Sequence, residues 1–235
     1  MKSIAVGVLA LMTLVIAAFA VQPETGDKPG AQPAQAEQQA QPESAEQNEE
    51  KFVYIEMKTS EGDIYLELNN EVAPISTENF VRYTKEGFYD GTIFHRVIDG
   101  FMIQGGGFDK DMNKKPTHEG IKNEWKNGLK NDRGTIAMAR LGGQPDSATS
   151  QFFINVNNNA SLNSPHPDPR YNDGAAYAVF GKVIKGMDVV DVIRKAKTGS
   201  RGHYGDVPVE TIVIEKVSVL SGEKAEELGL VGADG

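Results

Sequence analysis

The chain contains no cysteine. This excludes a disulfide framework and a lipid-modified cysteine at the N-terminus, so stability has to come from packing and no thiol is exposed to oxidation. Positive charge is also short: 24 Lys and Arg against 33 Asp and Glu give a formal net charge of −9. An acidic surface argues against nucleic acid or anionic lipid as the main partner. His118, His166 and His203 lie apart among turn-forming residues without metal-ligand spacing, so no metal site is expected. There is no internal repeat and no convincing nucleophile–base–acid triad. Gly105-Gly106-Gly107 is followed by neither Lys-Ser/Thr nor a helical pattern, which removes a phosphate-binding loop. Close approach of backbone at a pocket wall is the better account of the three glycines.

What the chain does have is unevenly spread. Residues 4–21 are nearly all apolar after Lys2, and Ala18-Phe19-Ala20 is a small-x-small cleavage pattern. Residues 1–20 are therefore expected to be a signal peptide cut between Ala20 and Val21. The alternative is an uncleaved anchor, because the run approaches the roughly 20 residues that span a bilayer. Residues 21–51 are rich in Gln, Pro, Ala and Glu and poor in bulky apolar side chains. Such a linker cannot bury enough surface to offset its ordering entropy. It reads either as a tether that spaces the following domain from a membrane or wall, or as a segment with no role beyond solubility.

From residue 52 the pattern is that of a folded domain. Phe52 to Thr59 and Asp63 to Leu68 alternate with period two around a Ser60-Glu61-Gly62-Asp63 turn. Ala73 to Tyr83 reads as a helix, with Pro74 in its first turn, Glu78 early and Gly87 as the stop. Two strands follow between Thr92 and Gln104. Residues 108–134 are polar and turn-rich and hold the single tryptophan, Trp125. Strands are expected over Gly134 to Arg140, Ser150 to Val156, Tyr177 to Val183 and Glu210 to Leu220, with a second helix over Met187 to Lys195. Residues 221–235 look like a flexible C-terminal tail. Many short strands with two helices predict an all-β-dominated domain over 52–220, a closed antiparallel barrel capped by helices.

The stretch from Thr92 to Gly107 is the most informative. It sets Arg96 and Gln104 among Ile93, Phe94, Phe101 and Met102. A guanidinium among large apolar residues must be hydrogen-bonded or it costs several kcal/mol, so this reads as a lined pocket carrying a polar group. Phe94-His95-Arg96-Val97-Ile98-Asp99-Gly100-Phe101-Met102-Ile103-Gln104-Gly105-Gly106 closely resembles the signature of the cyclophilin-type peptidyl-prolyl isomerases. Gly134 to Ala139 with Ser147 to Asn155, and Tyr177 to Val183 with Gly186 to Val190, match the same family in the same order. The resemblance covers essentially all of 52–220.

The resemblance implies an eight-stranded antiparallel barrel closed by two helices, and cis–trans isomerisation of X-Pro bonds in proline-containing polypeptides, with no cofactor and no metal. It implies that Arg96 is the catalytic arginine with Gln104 behind it. Phe101, Met102, Phe153 and Leu162 would line the proline pocket, and Ala139, Arg140 and Gln151 would meet the substrate backbone. Tyr177 falls at a position that is histidine in some members and tyrosine in many bacterial ones. The short loops and export pattern are similar to the bacterial periplasmic branch, which places the expected protein, a monomer, in the periplasm or cell envelope. A non-catalytic proline-peptide binding module or holdase using the same groove is the competing class; an intact Arg96 favours the enzyme.

His95, next to Arg96, is expected to point to the opposite face by strand alternation and to be a hydrogen-bonded structural histidine. Two features depart from the family pattern. Ser161 stands where many members have an aromatic residue before the pocket leucine, so binding of the inhibitor cyclosporin is expected to be weak. Asn163 to Ala176 is longer than usual and is expected to extend a loop on the pocket side.

Overall fold

A computed structural model describes residues 51–231. The expected signal peptide or anchor and nearly all of the expected linker lie outside the described residues. No helix among the described residues is long and apolar enough to cross a membrane.

Strands β1 (Phe52–Thr59) and β2 (Gly62–Asn69) form the expected hairpin, in register from Phe52 opposite Asn69 to Thr59 opposite Gly62. Helix α1 (Pro74–Lys85) follows, then β3 (Thr92–Ile98) and β4 (Met102–Asp109), β5 (Thr135–Met138), β6 (Phe152–Asn155) and β7 (Val179–Lys185). Helix α2 (Met187–Arg194) precedes a small hairpin, β8 (Thr198–Arg201) and β9 (Tyr204–Pro208), and β10 (Val213–Val219) completes the sheet. The barrel closes in the order β1-β10-β3-β4-β6-β5-β7-β2, and every pairing is antiparallel. This is the eight-stranded architecture expected from the sequence.

The barrel's core is apolar and continuous with its helices. Ile55, Ile64, Leu66, Ile103, Phe152 and Ile214 from the strands share one cluster with Phe80 and Tyr83 of α1 and Val190 and Ile193 of α2. At about 25 cal/mol per Å², removing side chains of this size from water supplies roughly 1.5–3 kcal/mol each. That is the route to stability left to a chain without cysteine.

Three local features differ from expectation. Glu78, read as early in the helix, lies beyond the first turn of α1. The helix has no side-chain cap of its own at Ala73. Instead Glu124, from the polar stretch after β4, accepts hydrogen bonds from the Ile75 and Ser76 amides (3.0 and 2.8 Å) and from Ser76 Oγ (2.6 Å). The β8–β9 hairpin was not expected, because Thr-Gly-Ser-Arg carries no alternating apolar residues. The tail beyond 220 is, as far as residue 231, a third helix, α3 (Gly222–Glu227). Ser221 caps it through the Lys224 amide, and its Ala225, with Leu230 beyond it, is buried against Tyr65 on the outside of β2.

Candidate active site

The site grows from the pairing of β3 with β4. Arg96 lies directly opposite Gln104, but the register shifts between Phe94 and Arg96: Phe94 faces Gly105 and Arg96 faces Gln104, so two steps on β3 match one on β4. The extra residue is His95. A bulge of this kind re-aims side chains, and His95 and Arg96 consequently line the same cavity. The expectation that alternation would separate them is overturned by that one-residue shift. The His95 Nδ1 is buried without a hydrogen-bond partner. The ring is 5% exposed and packs on Phe108 with centroids 4.7 Å apart. Burial, reinforced by the nearby Arg96 charge, lowers its pKa to about 4, against the opposing influence of the Ile93 backbone and the Gln151 side chain.

All ten residues anticipated for the site, Arg96, Phe101, Met102, Gln104, Ala139, Arg140, Gln151, Phe153, Leu162 and Tyr177, line a single cavity of about 620 Å³. Its floor is a second apolar cluster, distinct from the barrel core: Met102, Ala137, Phe153 and Val179 are buried, with Phe101, Ala139, Leu162 and Tyr177 packed on them. The order β4-β6-β5 explains this grouping, since Gln104 faces Phe153 and Phe153 faces Ala137 across the sheet. Tyr177 meets the Phe153 ring edge-on at 5.6 Å. Gly107 gives the wall its shape: a Cβ there would stand 2.5 Å from Cγ of Gln151, so only glycine lets the two approach.

The polar groups differ in detail from expectation. The Gln104 amide donates to Gln151 Oε1 at 2.9 Å and so fixes the second glutamine. The charged group at Arg96 is Asp206, whose Oδ2 lies 3.5 Å from Nε. Arg140 lines the wall, but its side chain is only 6% exposed and pairs with Asp173 of the long 163–176 segment at 2.5 Å. The same guanidinium donates to the carbonyls of Ala175 and Ala176 (2.9 and 3.2 Å) and lies over Tyr177 at 4.8 Å. It holds the carboxyl of Asp173 below the usual carboxylate range. None of residues 163–176 is among the residues that line the cavity; the segment runs between the lining residues Leu162 and Tyr177 and is tied to Arg140 by this ion pair.

Behind the floor runs a layer of buried asparagines that sequence reasoning missed. Asn155 Nδ2 donates to Asn131 Oδ1 (3.2 Å) and Thr135 Oγ1 (3.0 Å), and Asn159 Nδ2 to Asn155 Oδ1 (2.6 Å) and the Phe101 carbonyl (2.7 Å). Asn131 reaches the carbonyls of Leu162 and Tyr177, both at 3.3 Å. The 3-10 turn Ala160–Asn163, which carries Leu162 and the exposed Ser161, is held through this network. The polar run Asn157-Asn158-Asn159 was the available signal. His95, Phe108, Lys114, His203, Tyr204 and Asp206 also line the cavity and were not anticipated as site residues.

A barrel of this order, with an arginine at the edge of an apolar pocket, defines a class before any comparison is made. Residues 54–219 match the model of the family described as cyclophilin type peptidyl-prolyl cis-trans isomerase. The chain belongs to that family. It is 55% identical over 166 residues to peptidyl-prolyl cis-trans isomerase cyp18 of Streptomyces antibioticus, covering 71% of this chain and 98% of the relative. It is 52% identical over 165 residues to peptidyl-prolyl cis-trans isomerase B of Escherichia coli, covering 70% and 98%. The crystal structure of a cyclophilin type isomerase of Cryptosporidium parvum in the presence of the dipeptide Ala-Pro superposes with a TM-score of 0.55 at 27% identity, covering 72% of this chain and 99% of that one.

Proposed function

We propose that this protein accelerates cis–trans isomerisation of X-Pro bonds in polypeptides, acting as a monomer on chains outside the cytoplasm. The observation that carries the chemistry is the shared cavity. A half-exposed guanidinium, Arg96, borders a floor made of Met102, Phe153, Phe101 and Leu162. Rotation about X-Pro is slow because it breaks amide resonance, a barrier of about 18–20 kcal/mol. As the bond twists, the nitrogen becomes pyramidal and regains a lone pair. A guanidinium N–H directed at that nitrogen stabilises the twisted state more than either planar state, which is the requirement for catalysis. Arginine suits the task because it stays protonated and presents its donors in a planar fork. The apolar floor takes the pyrrolidine ring, so rotation falls on the segment preceding it.

The test is cis–trans exchange in a short X-Pro peptide, measured with the full chain and with Arg96→Ala. The wild type is expected to be fast and Arg96→Ala slower by about a hundredfold, with peptide still bound. A wild type no faster than the uncatalysed peptide, yet binding it, would make the groove a docking module instead.

Export rests on the apolar run 4–21 and its Ala18-Phe19-Ala20 site. Fractionation of a bacterial host expressing the full chain is expected to place it outside the cytoplasm. Recovery solely in the cytosol with an intact N-terminus would refute this.

A further inference from the structure

The strand pairing sets where the Arg96 backbone stands, but not where its fork points. Arginine has a long, flexible side chain, and Arg96 is 42% exposed. Aim has to come from a partner, and that partner is on another element. Asp206, on β9, brings Oδ2 to 3.5 Å from Arg96 Nε. Among the described residues Asp206 is the one carboxylate that lines the cavity.

Two further features show that this carboxylate is held in place rather than loosely hung. Asp206 has φ of +58°, and Met112 is the other non-glycine described residue with a positive φ. A non-glycine residue in the left-handed region is strained unless its surroundings enforce it. Here they do: the next residue, Val207, is 3% exposed, and Tyr204 on the other side meets Phe108 edge-on at 5.1 Å. Phe108 in turn packs on His95, the neighbour of Arg96. The hairpin is thus bolted to the same bulge that turns His95 and Arg96 to one side, and the left-handed residue directs its carboxylate inward. The contact engages the Nε side of the guanidinium. Nη1 and Nη2, which carry four of the five donors, remain for the cavity.

We infer that Asp206 is a positioning residue for Arg96: the β8–β9 hairpin holds the guanidinium so that its Nη donors face the twisting amide. This rests on the reading of Arg96 as the catalytic group. The pair is exposed, so its effect is modest and sensitive to salt.

The experiment compares full-length wild type, Arg96→Ala, Asp206→Asn and Asp206→Gly in X-Pro peptide exchange at low and high ionic strength. Asn and Gly both accept the left-handed conformation, so the hairpin is preserved while the charge is lost, and thermal unfolding of each variant verifies this. Both Asp206 variants are expected to lose about fivefold in kcat, equivalent to about 1 kcal/mol, with KM within twofold of wild type. Wild-type kcat should fall as salt is raised, and Asp206→Asn should show no such fall. If the Asp206 variants keep or exceed wild-type kcat while Arg96→Ala is crippled, the ion pair is only a resting contact and the inference fails alone. A change confined to KM would make Asp206 a substrate contact and overturn it equally. If Arg96→Ala matches wild type, the catalytic reading itself falls and the positioning role with it.

Discussion

His95 and Arg96 are sequence neighbours with opposite environments. Nearly half of the Arg96 side chain meets water, whereas His95 is buried and held neutral with a pKa of about 4. Its ordinary value is 6.5, so the unfolded chain takes up this proton at higher pH than the folded one. Stability from a neutral His95 is therefore complete above pH 6.5 and is lost as pH falls toward 4, by about 3 kcal/mol at most. Denaturant unfolding at pH 7 and pH 4.5 should show a larger drop for wild type than for His95→Gln. Equal drops would mean that His95 is solvated in the folded state. Isomerisation should be indifferent to this proton above neutrality, since the ring is already neutral there. The arginine in its motif was readable from the chain; the histidine's orientation was not, because a bulge depends on how the partner strand pairs.

At the scale of elements, β1, β2, α1, β10 and the glycine-rich wall could be read from alternation, proline placement and the absence of a Lys-Ser/Thr sequel. The elements that escaped share a cause. Helix α3 is nearly all polar in sequence, and its contribution rests on Ala225 and nearby Leu230 finding Tyr65. The β8–β9 hairpin exposes most of its residues and is anchored by a few. Helix α1 makes the same point quantitatively. Its N-terminal amides are satisfied by Glu124, 48 and 49 residues distant, and an unsatisfied helix start is costly. Glu124→Ala is expected to destabilise the fold by about 2 kcal/mol, read as a shift in denaturant midpoint at unchanged slope, with Glu124→Gln recovering part of it. A loss under about 0.5 kcal/mol would show that water replaces the carboxylate without penalty.

At the scale of the molecule, the barrel core and the pocket floor are separate apolar clusters in one compact unit of the described residues, 51–231. A fragment of those residues is expected to unfold cooperatively and to turn over X-Pro peptide within twofold of the full chain, measured side by side. A large loss of rate would assign the residues outside 51–231 a part in catalysis. Local order along the chain was enough to determine the barrel's strands, the family and ten of the residues that line the cavity, because alternation and motif are properties of neighbours in sequence. Only the tertiary structure decided that His95 shares the pocket, that Asp173 takes up the Arg140 charge, and that Asp206 meets Arg96. Those contacts join residues 33 to 110 positions apart, or hang on the pairing of two strands, and no pattern along the chain encodes the closure that brings them together.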